Sequence, residues 1–309
     1  RSQDRPAAFE LRDGDRVLFL GDALLEREIT YGSNELRMHE QFPKTRFSVR
    51  NLSWSGETPR GWSRASFDPP AKGFERLKQE IGLVKPTVAV LGFGMAASLQ
   101  EITDRSKDIM LNADPARYGR DPMSGARFKR ELGDLMDAIV AIGKTATPPA
   151  DVRFVLLAPI PHEDLRKTRP GMPDPAPHNE LLNQYAKAIE ALAKERGARF
   201  VSTEGFNAQQ AIRAVSNSPQ QFTHNGVTLT PEGHSEYSHW ITSKLGWVTP
   251  KGNRVPASKD LLSGVLQRND LWFHRTRPAN STYLFGFRKH EQGRNAKEIP
   301  EFDALVAKA

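Results

Sequence analysis

The stretch RVLFLGDALLERE, Arg16 to Glu28, decides the fold. Four apolar residues, Val17 to Leu20, run into Gly21-Asp22 as a buried strand runs into a strand-to-helix turn. In open α/β sheets such turns gather at the carboxyl ends of the strands, where binding and catalytic loops sit. The next residue is Ala23, which carries no reactive atom. A turn of active-site type therefore presents a methyl group.

Outward from this stretch, short apolar runs alternate with longer amphipathic ones. Val17–Leu20, Phe47–Asn51, Thr87–Gly92, Arg153–Ala158 and Arg199–Ser202 read as strands, each bounded by Gly, Pro or polar residues. Glu35–Phe42, Ala71–Ile81, Gly125–Gly143 and His178–Arg196 read as helices; Leu132, Leu135, Met136, Ile139 and Val140 recur at helical spacing. Strands that alternate with helices imply a parallel sheet covered on both faces. The expected fold class is α/β, a three-layer α/β/α sandwich with a parallel sheet and a C-terminal extension.

Composition bounds the chemistry. The 309 residues are 38% hydrophobic and 26% charged, enough for one large domain or one domain plus an extension. With no cysteine, disulfides, thiolate metal sites, a Cys nucleophile and C-x-x-C-H haem attachment are excluded. No run approaches the ~20 apolar residues of a membrane span, and RSQDRPAAFE lacks a signal-peptide core. The net charge of +7 is scattered rather than gathered on one stripe, so no nucleic-acid partner is expected.

Four loops assigned to the carboxyl end of the sheet fall in a recognisable order. Gly21-Asp22-Ala23-Leu24 follows the first strand, NLSWSGET (Asn51 to Thr58) the second and GFGMAAS (Gly92 to Ser98) the third; FTHNGVTLTPEGH (Phe222 to His234) comes late. In order and spacing they resemble the four blocks of the SGNH (GDSL-type) hydrolases, over roughly residues 14 to 246. That family comprises esterases, lipases and carbohydrate deacetylases. The resemblance implies a flavodoxin-like sandwich and acyl transfer by a Ser, a His preceded three residues earlier by Asp, and an oxyanion hole of backbone N–H groups and an Asn.

At the reacting positions the match fails. Ala23 stands at the family's Ser, Ala96 (or Gly94 on another register) at its Asn, Asn225 at its Asp and Thr228 at its His; Gly56 alone survives. No catalytic residue is therefore expected, and the chain reads as a pseudoenzyme. Rescue by Ser53 or Ser55 with Glu236 and His239 is conceivable, but Pro231 opens a helix that carries His239 about two turns from the loop. His224 and His234 read as solvated loop histidines; no metal and no cofactor is expected.

Binding chemistry remains in the loops. Asp22, Glu26, Arg27, Trp54, Arg60, Trp62, Arg64 and His224 form the expected ligand-binding set, with aromatic faces and forked guanidinium donors suited to sugars or anions. The same residue types serve protein interfaces, or serve as buried Trp and Arg with internal carboxylate partners, for which Glu26 and Glu28 are available.

After Leu245 the pattern changes. GWVTPKGNRVPASKD reads as a linker, Leu261–Asn269 as a short helix, and the rest is dense in aromatic and basic residues. Tyr283, Phe285 and Phe287 alternate as one face of an extended segment would, with His274, Arg275, Arg277 and Arg288 turned toward the loops or a partner. FHRTRPANSTYLFGFRKHEQGRNAKEIPEFD resembles the segment after the SGNH-like domain of large exported bacterial proteins, some of which continue into propeller dehydrogenase and c-type haem domains. The expected division is an N-terminal arm (1–13), an SGNH-like domain (14–246) and an extension packed on it (247–309).

Two functions follow. One is a non-catalytic module that binds a glycan, an anionic ligand or a protein partner in a larger exported assembly. The other is an ester or acetyl-ester hydrolase of the carbohydrate-esterase type using displaced residues.

Overall fold

The computed structural model describes residues 7–111, 123–206, 221–247 and 258–309, with the side chains of the helix Met95–Leu111 up to Ser106. Five parallel strands form one sheet in the order β2-β1-β3-β4-β5: β1 (Asp15–Gly21), β2 (Phe47–Asn51), β3 (Val88–Gly92), β4 (Arg153–Leu157) and β5 (Arg199–Val201). This is the expected α/β sandwich, and each strand lies where its apolar run placed it. Much of the expected linker, residues 248–257, lies outside the described residues.

Side chains alternate between the faces of the sheet, so the strands serve two cores. Leu18, Leu20, Ala89, Leu91, Phe154 and Leu156 face α4 (Pro70–Val84), α6 (Gly125–Gly143) and α7 (Ala176–Arg196). Val17, Phe19, Val88, Val90, Val155 and Leu157 face α1 (Ala23–Glu26), α3 (Ser33–Gln41) and α8 (Pro231–Lys244). Between α1 and α3 lies the single turn α2 (Glu28–Tyr31). The stretch expected as a third-block loop is cut short: α5 (Met95–Leu111) begins at Met95, three residues after the strand.

The extension covers the edge strand. α9 (Lys259–Thr276) is an 18-residue helix, twice as long as its apolar pattern indicated, because Trp272 continues its buried face. Trp272 is 5% exposed, and its indole N–H donates to the carbonyl of Asn51 at the end of β2 (3.1 Å). An uncovered edge strand is a template for association, and α9 removes it. α12 (Phe302–Lys308) packs on α9 through Val306 and an Arg275–Asp303 pair (2.8 Å).

The expected extended segment at Tyr283, Phe285 and Phe287 is not there. Residues Ser281–Leu284 form the helical turn α10, and Phe285 and Phe287 are 57% and 70% exposed. Backbone bonds such as Phe285 N–H to Ser281 O and Leu284 N–H to Asn280 O close locally, so the segment satisfies its polar groups as a helical turn rather than as a strand. α11 (Lys289–Gln292) follows, and Arg288 pairs with Glu291 and Tyr283 rather than with the loops.

Trp272 anchors the extension, so Trp272→Ala should cost about 3–5 kcal/mol of unfolding free energy in a denaturant titration, and Trp272→Phe, which keeps the bulk and loses the hydrogen bond, a markedly smaller amount. An unchanged midpoint for the alanine variant would mean that the extension contributes nothing to the sandwich.

Candidate functional site

The loop face begins with a close approach of two backbones. A Cβ at Gly21 would run into the carbonyl oxygen of Gly92, so only glycine lets β1 and β3 end side by side. Asp22 N–H then donates to Gly92 O, and Trp54 N–H to Gly21 O, each at 3.0 Å. The Asp22 carboxylate accepts from Leu24 N–H (3.3 Å), capping α1, and from Ala96 N–H (3.1 Å) at the start of α5. It is 2% exposed, and burial pushes its pKa up to about 6 against those hydrogen bonds. Asp22 is thus a tie between the first and third loops.

Ala23 and the late loop adjoin this tie. Asp22, Ala23, Met95, Pro159, Ile160 and Val227 line a hollow of about 10 Å³, no larger than one water needs. Asn225 is exposed, and its side-chain oxygen accepts from Val227 N–H (3.2 Å) and Thr228 N–H (2.9 Å), holding its own turn. Thr228 is half-buried, and its carbonyl accepts from the His224 N–H at 2.8 Å. Gly56 is exposed with φ +73°, the left-handed region that favours glycine. Ala23 carries no hydroxyl, Ala96 no side-chain amide, Asn225 no carboxylate and Thr228 no imidazole.

Apart from Asp22, the expected binding set separates into three groups. Trp54 lies between two guanidiniums, Arg64 at 5.3 Å and Arg277 of the extension at 4.4 Å from its ring centroid. Arg64 is 3% exposed and is held by Glu57, Glu80 and the Leu52 carbonyl, so it is an internal strut rather than a ligand-binding group. Glu26 accepts from Ser55 and from Arg277 (2.7 Å); against burial, these bonds hold its carboxyl below the usual range. Arg60 and Trp62 instead line a groove of about 980 Å³ between α4 and α6, where Arg60 pairs with Asp134 (2.7 Å). Arg27 and His224 are exposed on the surface.

Two further expectations are corrected. His234 is not a solvated loop residue: it is fully buried in α8, with Nδ1 3.1 Å from Glu28 Oε1, because Pro231 starts the helix early enough to carry it inside. Glu28 therefore neutralises no arginine. Of the four basic residues expected to turn toward the loops, Arg277 reaches them through Glu26, while Arg275 and Arg288 pair within the extension and His274 lies near Asp270 (3.7 Å). The displaced Glu236–His239 pair does not meet Ser53 or Ser55; His239 bonds Arg37 (2.7 Å) and the Ser235 carbonyl (2.8 Å).

One cluster was missed. His162, just after β4, has Nδ1 3.1 Å from Nδ1 of His178 on α7, and His178 Nε2 is 2.8 Å from Ser98 Oγ on α5. Burial holds the His178 pKa down to about 4, with the neighbouring His162 adding to the effect. A histidine directly after Pro161, in the loop that follows β4, was the available signal; its pairing across 16 residues was not.

No family model and no curated protein matches this chain in sequence. In structure it is similar to the acetylxylan esterase Axe2 from Geobacillus stearothermophilus, with TM-score 0.53 and 16% identity over 78% of this chain and 100% of that one. It is also similar to LAE5, an alpha/beta hydrolase enzyme from the metagenome of Lake Arreo, Spain (0.54, 14%, 77% and 98%). A gut microbial diltiazem-metabolizing enzyme matches at 0.51 and 17%, over 77% of this chain and 48% of that one, so the chain spans about half its length. At these identities the shared property is the fold, an α/β sandwich of hydrolase type. Among the described residues no helix is long and apolar enough to cross a membrane.

The Asp22 tie has a pH signature. Its pKa is raised from 3.8 to about 6 in the fold, so its stabilisation is full below pH 3.8 and lost as pH rises through 6. Between pH 4 and 7 the protein should lose up to roughly 3 kcal/mol relative to Asp22→Asn, which cannot titrate. Parallel pH profiles of unfolding free energy for the two proteins would refute the assignment.

Proposed function

We propose that this chain is a hydrolase-fold module whose loop face binds an ester-bearing or hydroxyl-rich ligand, a glycan foremost, without forming an acyl-enzyme. The observation that carries the reading is the pair Ala23 and Thr228, a methyl group and a hydroxyl where nucleophile and base would stand. Because such groups act as a unit, the remaining backbone donors alone give at best weak catalysis. Those donors persist: among the described residues, nothing accepts the N–H of Ala23 or Gly56. The division at 1–13, 14–246 and 247–309, a protein partner as occupant of the same face, and export belong to this proposal.

A second reading, ester or acetyl-ester hydrolysis by displaced residues, is the one that the likeness to esterases speaks for. A specific observation favours it too: the neutral imidazole pair His162–His178 stands near the loop face. Water, rather than a serine, would then be the nucleophile.

Fluorophosphonate labelling and turnover of acetylated xylooligosaccharides separate these readings. The protein should take no label, and Ala23→Ser alone should create no turnover, since Thr228 cannot accept the proton. Stoichiometric labelling of any serine would overturn the first reading and select a serine-type form of the second; turnover without labelling would select its water-based form.

A further inference from the structure

The Ser98–His178–His162 chain fixes where its protons lie. Ser98 Oγ donates its one hydrogen to the Met95 carbonyl (2.8 Å), so toward His178 Nε2 it accepts, and that nitrogen carries a hydrogen. The His178 ring is neutral, which leaves its Nδ1 bare to accept from His162 Nδ1. His162 is also held below its ordinary pKa by burial, with Asp164 opposing. A neutral His162 with hydrogen on Nδ1 has a bare Nε2.

That nitrogen is positioned and open. Asn179 grips the His162 backbone on both sides, accepting from its N–H (2.7 Å) and donating to its carbonyl (2.9 Å). The ring lies over Gly226, where a Cβ would come within 2.5 Å of Nε2, so glycine is what admits it. Nε2 has no partner among the described residues and is not among the buried unpartnered atoms, so it meets solvent. Val227, next to Gly226, lines the hollow beside Ala23.

We propose that His162 is the proton acceptor of the loop face: its bare Nε2 takes the hydrogen of a ligand hydroxyl, supplying the base that Thr228 does not. The inference rests on the loop face being a ligand site. The hydroxyl is that of a bound sugar if the module only binds, or of water if it hydrolyses. In the second case the water proton passes to Nε2 and the hydroxide oxygen bonds the acyl carbon. The bond from that carbon to the alkoxy oxygen then breaks, and the departing alkoxide recovers the proton from Nε2.

The test is long-range proton–nitrogen NMR of the full chain labelled with ¹⁵N-histidine, titrated with acetylated and with deacetylated xylooligosaccharide. At neutral pH His162 should show hydrogen on Nδ1 and a bare Nε2, and His178 the reverse. Ser98→Ala, which removes the acceptor for His178 Nε2–H, should mix the tautomers of both rings. The His162 Nε2 signal should respond to saccharide, and His162→Ala should weaken binding about tenfold. Release of acetate from the acetylated probe marks water as the hydroxyl source; binding of both probes without release marks the sugar. Hydrogen on His162 Nε2 overturns the inference, as does a bare Nε2 whose removal leaves binding unchanged while the ligand site stands. Failure of the wild-type chain to bind either saccharide removes the ligand-site reading itself, and the inference with it.

Discussion

The loop face depends on one buried carboxylate. Asp22 sits where the β1 and β3 backbones touch, and it accepts N–H groups from both α1 and α5. Three consequences follow from that placement. The Gly21–Gly92 contact is sealed, Ala96 is fixed by its backbone rather than by any side-chain function, and Ala23 is held at the start of a helix. A carboxylate confined in this way loses solvation, and the cost appears as a raised pKa rather than as catalysis.

The second-strand loop is held by a different device. Trp54 lies between Arg64 and Arg277, and those cations are matched by Glu57, Glu80 and Glu26. Buried ion pairs gain little net stability but penalise any arrangement that leaves one partner alone, so they fix the loop in one conformation. With guanidiniums against it, Trp54 is a poor sugar platform. The cluster also joins the extension to the sandwich, because Arg277 belongs to the residues after α9 while Glu26 and Trp54 belong to the loops.

The fold was legible because its signals are local. The central strands β1, β3 and β4 are apolar runs bounded by turn residues, and burial on both faces leaves them almost no polar alternation. α5 was not, since Gly92 to Ser98 reads as a glycine-containing loop, and helix formation from Met95 depends on the long-range acceptor Asp22. Tyr283, Phe285 and Phe287 alternate in sequence as a strand face would, but the backbone of Ser281–Leu284 closes its hydrogen bonds within a helical turn, which alternation alone does not reveal. At the site, the absent groups were visible as letters. The His162–His178–Ser98 chain was not, because it joins the β4 loop, α7 and α5, and only the sheet order brings those elements together.

The function proposed for this fold is one without covalent acyl chemistry. Intact-mass spectrometry of the protein mixed rapidly with p-nitrophenyl acetate tests it most directly, because it reads the acyl-enzyme itself rather than its products. No acetylated serine should accumulate at any time in the protein as it stands. An acetyl adduct formed in one burst and mapped to Ser53, Ser55 or Ser98 would contradict it.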